Sequence, residues 1–140
     1  MWLLGSMSVG GTAEWMVILI FAFIGGTATI VVSTEAIEEV KNATHMLVIL
    51  SGVVFEFVAY FAFQYWYLLM ILPYSFSGIS DDPVSLLLHS TMIFVFNPLY
   101  LPTNAVGRAL LLINTLQALV LAFFILQNIW QFRAESKAMQ

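Results

Sequence analysis

The chain has 140 residues, 61% of them hydrophobic and 9% charged, with four bases against eight acids and a net charge of −4. Ordinary soluble domains carry about 25% charged residues, so this much apolar surface calls for lipid as the solvent and an all-α integral membrane protein is expected. Four bases make no patch for nucleic acid, and a chain without cysteine has no disulfide, thiolate nucleophile or cysteine metal site.

The first apolar run extends from Trp15 to Ser33. Glu14 stands at its start, no base precedes it, and it is longer than the apolar part of a signal peptide. Ala22, Gly25, Gly26, Ala28 and Thr29 are small, and small residues let helix backbones approach closely in lipid. A packed transmembrane helix is expected. A polar connector follows, Thr34 to His45, in which Glu38, Glu39 and Lys41 are expected on a helical extension leaving the membrane. Asn42-Ala43-Thr44 fits the glycosylation acceptor pattern, which matters only where the connector faces a secretory lumen.

The second span runs from Met46 to Leu72 and stops at Pro73, with Glu56 as its one acid and no base. At about 1.5 Å per residue it covers roughly 40 Å, more than the ~30 Å hydrocarbon core requires. Tyr65, Trp66 and Tyr67 suit an interfacial aromatic belt. Glu56, Tyr60 and Gln64 are spaced i, i+4, i+8, which predicts one polar stripe. A carboxyl at this depth is expensive and is expected to face other helices or water. It reads either as an ion or proton site or as hydrogen-bonding glue between helices.

Pro73 to Pro83 is punctuated like a loop. Asp82-Pro83 reads as an N-cap followed by proline at the first helical position. The helix it starts is expected to run to about Phe96, where Asn97-Pro98 ends it. Its reach of about 21 Å is too short to span, so a re-entrant helix is expected. With three spans, Lys41, Arg133 and Lys137 share one side and Arg108 stands alone on the other; four spans split the bases evenly. The positive-inside rule therefore favours three spans, with the connector and the C-terminus cytoplasmic and the N-terminus outside.

The last span starts at a cap, Thr103 or Asn104, and runs to about Trp130. Asn114, Gln117 and Asn128 share a face with Leu121 and Phe124. That face reads either as the lining of a water-filled path, through Asn114, Gln117 and Phe124, or as interhelical hydrogen bonding. The expected organisation is an N-terminal transmembrane helix and connector over 1–45, an outer helix, re-entrant helix and inner helix over 46–133, and a short cytoplasmic tail over 134–140. A four-helix transmembrane bundle is the alternative.

The stretch from Leu99 to Arg108 reads Leu-Tyr-Leu-Pro-Thr-Asn-Ala-Val-Gly-Arg. Pro102, Thr103, Gly107 and Arg108, with Asp82 to Ser90 upstream and its His89-Ser90 pair, resemble the pore module of two-span potassium channels. The resemblance covers about Met46 to Trp130. It implies an outer helix, a pore helix, a filter region over Thr91, Ile93, Phe94, Val95, Phe96 and Asn97, and an inner helix, arranged as a tetramer. The family's filter is a Thr-Val-Gly-Tyr-Gly run whose backbone carbonyls replace the ion's water shell, with glycine supplying positive φ. Here Ile93-Phe94-Val95-Phe96-Asn97-Pro98 has no glycine, has a proline, and is shorter. Potassium selectivity is therefore not implied. The expectation is a degenerate pore that conducts without selectivity, gates at a hydrophobic constriction, or no longer conducts.

His45 and His89, the only histidines, are expected on opposite membrane sides, so no shared metal site is expected. Neither suits an axial haem ligand, and no nucleophile motif, phosphate loop or dinucleotide fingerprint occurs. No cofactor and no enzymatic activity are expected. Three functions remain: a pore-loop channel-like subunit of the cell membrane forming a homo-oligomer, a small accessory subunit of a larger membrane complex, and a proton or cation carrier using Glu56.

Overall fold

The computed structural model describes the backbone of residues 9–38, 40 and 42–138 and the side chains of 16–37, 40 and 42–134. Glu39 and Lys41 lie outside the described residues, as do the side chains of Glu14, Glu38 and Lys137. Four helices are described: α1 (Val9–Glu38), α2 (Ala43–Ile71), α3 (Pro83–Ile93) and α4 (Ala105–Ala138). Three of them contain a stretch long and apolar enough to cross a membrane: Met16–Ile37, Ala43–Ile71 and Ala105–Ala134. The fourth, α3, has 11 residues and rises only about 16 Å.

The connector is shorter than its polarity suggests. No glycine or proline falls between Thr34 and His45, so α1 stays helical to Glu38. Asn42 then caps α2, its side chain accepting from the Thr44 N–H at 2.8 Å. The acceptor-like triplet Asn42-Ala43-Thr44 thus forms a helix start, with the Asn and Thr bonded to each other.

The start of α3 follows the sequence expectation. Asp82 accepts from the Ser85 N–H at 2.9 Å, and Pro83 takes the first helical position. The Ser85 and Val84 N–H groups hold the Asp82 carboxyl below its ordinary range. The helix ends at Ile93, earlier than the expected Phe96. Phe96 adopts a left-handed φ of 56°; the Phe96 N–H bonds Ile93 O at 3.0 Å and the Asn97 N–H bonds Met92 O at 3.0 Å. This pair of bonds is a Schellman closure, with a phenylalanine where glycine is usual.

One core joins all four helices. Ile18 and Ala22 of α1, Phe57, Phe61 and Leu68 of α2, Leu86 and Ile93 of α3, and Leu110, Ala118 and Leu121 of α4 belong to the same buried cluster. The N-terminal helix is therefore part of the same core as residues 46–133. It packs along both α2 and α4, while α3 lies mainly on α2. The outer surface is rich in large apolar side chains, with Phe55 70% and Trp130 76% exposed. A soluble monomer rarely exposes so many together; lipid accepts them.

Tyr65 departs from the expected interfacial belt. It is fully buried, edge-on to Phe76 and His89, whereas Trp66 and Tyr67 stay exposed. Neighbours one residue apart on a helix point about 100° apart, so of these three consecutive aromatics Tyr65 turns towards the core while Trp66 and Tyr67 turn outwards.

Candidate functional site

The site is built around α3 and the two loops that hold it. The loop after α2 and the loop before α4 run antiparallel and pair at Phe76 and Pro102. Ser77 N–H donates to Leu101 O at 2.9 Å, and Thr103 N–H donates to Ser75 O at 2.9 Å. The Thr103 hydroxyl donates to Tyr74 O, and the Asn104 side-chain amide donates to Ser75 Oγ at 3.0 Å. Asn104, one of the two expected caps, is the one used: its Oδ1 accepts from Gly107 N–H at 2.8 Å. A Cβ at Gly107 would lie 2.6 Å from Ser75 O. Pro102, Thr103 and Gly107 therefore act together as a clasp that closes the α3 excursion against the start of α4. Arg108, exposed, follows it.

Residues 91–97 form a helix terminus. Thr91 bonds back to Leu87 O at 2.8 Å. The carbonyls of Thr91, Met92 and Ile93 accept the N–H groups of Phe94, Val95, Phe96 and Asn97. Ile93 is buried, and Phe94 stacks on Phe61 with ring centroids 5.6 Å apart. Val95 and Phe96 are 62% and 54% exposed, and Asn97 is exposed beside them.

Asn114 and Gln117, the expected lining residues, point into the interior of the single chain. Gln117 donates from Nε2 to Ala22 O of α1 at 2.6 Å, and Gly26 leaves the space for its carboxamide. Tyr60 of α2 does the same one residue earlier, donating to Phe21 O at 2.5 Å over Gly25. The small residues of α1 thus admit polar side chains from two neighbouring helices. The hydrogen-bonding reading accounts for Gln117; Phe124 is half-buried and packs against the core. Asn128 bonds back to Phe124 O at 2.8 Å.

His89 is the centre of a buried polar group whose members the sequence analysis names separately and does not bring together. It is fully buried among Tyr65 (ring centroids 4.7 Å), Tyr100 (5.1 Å) and Phe76 (5.8 Å). Its Nδ1 accepts from Tyr100 N–H at 3.4 Å, which places the proton of the neutral ring on Nε2. Burial pushes its pKa down to about 4. The Tyr65 hydroxyl lies beside Asn114 without reaching hydrogen-bond geometry. Gln64, His89 Nε2, Ser90 Oγ and the Asn114 carboxamide are also buried and find no partner among the described residues. Leu86, His89, Ser90 and Ile93 are the buried residues of α3, and their i, i+3, i+4, i+7 spacing is the signal in the sequence that points to this face.

The expected polar stripe on α2 does not stay on one face. Glu56 is exposed, Tyr60 half-buried and Gln64 fully buried. Each four-residue step turns about 40° further around the helix, so two steps carry the stripe from the surface to the core. Glu56 accepts one hydrogen bond, from Thr29 Oγ1 of α1 at 3.5 Å.

Comparison of the chain with protein-family models, with curated proteins and with solved structures finds no match.

Proposed function

We propose that the chain is a pore-loop membrane subunit, similar in plan to the potassium-channel pore module and lacking that module's filter. What supports the reading is α3: a capped stub, too short to cross, clasped between two long apolar helices in the order outer rod, stub, inner rod. In a homotetramer the stub's end would approach the axis, and exposed Val95 and Phe96 would form a hydrophobic constriction. We assign the connector and the C-terminal end to the cytoplasmic side of the cell membrane, because they carry three of the four bases in the sequence, Lys41, Arg133 and Lys137.

A second reading has its own support. The carbonyls of Thr91, Met92 and Ile93 are taken up by helix closure, and Asn114 and Gln117 turn inward. A non-conducting accessory subunit fits those facts. The mass of the detergent-solubilised particle and ion flux in liposomes separate the two. The pore reading expects four copies of the 15.7 kDa chain, and flux that rises in Phe96→Ser as the constriction wets. A monomer with no flux in either form favours the accessory reading. Flux that disappears in Glu56→Gln would instead make Glu56 the carrier.

A further inference from the structure

Glu56 is the only Asp, Glu, Lys or Arg in α2. It sits near the middle, about 20 Å from either end of the helix. Its side chain is exposed on the outside of the bundle. A carboxylate offers about four acceptor sites, and Thr29 uses one of them. In hydrocarbon such a group is expensive unless another helix meets it.

The surface around Glu56 is shaped for a helix. Gly52, Glu56, Ala59 and Phe63 follow at i, i+4, i+7 and i+11, so they share one stripe of α2. Among the described residues, a Cβ at Gly52 would meet nothing within 4 Å, so a neighbouring backbone can come close there. Further along, Ala59 and Phe63 form one wall of an apolar groove of about 300 Å³ whose other wall is Pro83, Leu86 and Leu87 of α3. The groove and the acid therefore lie on one continuous track.

We infer that this track docks a transmembrane helix of a different protein, one carrying a Lys or Arg at mid-depth opposite Glu56. Charge complementarity selects the occupant. The four bases of this chain are Lys41, Arg108, Arg133 and Lys137, all in the connector or near the ends of α4. A second copy would bring its own bases to the membrane surfaces and nothing basic to Glu56. A lipid tail fills the groove and leaves the carboxyl unmet. A base-bearing helix satisfies both features at once.

The test uses the purified full chain in phosphatidylcholine vesicles with two synthetic leucine–alanine helices, one with a single central Lys and one with Leu in its place, read by energy transfer. The Lys helix should associate about tenfold more tightly than the Leu helix. That advantage should vanish in Glu56→Gln, and Ala59→Phe should weaken both helices by filling the groove. Equal association of the two helices with the native chain would overturn the inference, as would a Lys advantage that survives Glu56→Gln. Efficient disulfide formation between copies of Gly52→Cys would also overturn it, by giving the face to a second copy. Since Glu56 and Gly52 are exposed, neither substitution disturbs the core.

Discussion

Gly26 and Gln117 form one unit. A Cβ at position 26 would lie 2.3 Å from the Gln117 amide nitrogen, and that nitrogen holds Ala22 O. Gly26→Ala should therefore destabilise the protein by about 1–3 kcal/mol, measured as thermal unfolding in detergent. In a Gln117→Ala background the same substitution should cost much less, because contacting residues are not additive. His89 gives a second test at this scale. Its folded pKa, about 4, lies below the ordinary value of 6.5, so the unfolded chain binds the proton first as pH falls. The contribution of the neutral ring is complete above pH 6.5 and is lost as pH falls from there towards 4. The Tm of the native protein should drop across that window, and His89→Leu should flatten the drop. At the residue scale the sequence was informative about Gly26 as a small contact, because lipid rewards close approach. The spacing of Leu86, His89, Ser90 and Ile93 marks the inward face of α3, but which side chains of α2 and the loops meet His89 there depends on tertiary packing.

For the elements, the starts were more legible than the ends. Asp82-Pro83 and Asn104 are side-chain caps whose chemistry is written locally, and both act where expected. Asp82→Ala should loosen the α3 start and lower the Tm, whereas Asp82→Asn, which keeps the acceptor, should not. The end of α3 was misplaced because it rests on a phenylalanine in the left-handed region, and nothing in that residue type announces the conformation. A non-glycine residue there costs about 1–2 kcal/mol. Phe96 is more than half exposed and loses little packing on truncation. Phe96→Gly should therefore raise stability by about 1 kcal/mol, read from thermal unfolding. The polar stripe on α2 failed for a geometric reason: the i, i+4 rule holds over one step and drifts over two.

At the scale of the molecule, three long apolar helices and one stub were expected, and three long apolar helices and one short one are described. Length, proline and cap positions carry that much. The seat of α1 between α2 and α4 was not legible, because a helix apolar on every side offers no period from which to choose a partner. The proposed three-span arrangement makes a direct prediction. Single cysteines at Asn97 and Ser136 should react with an impermeant reagent from opposite membrane faces; reaction from one face would require a fourth crossing.

The bond from Gln117 to Ala22 joins positions 95 residues apart. The acceptor belongs to α1 and the donor to α4, so this contact closes only when the last long helix packs on the first. A chain that stops before Gln117 would leave α1 packed on α2 alone, with the space over Gly26 unfilled.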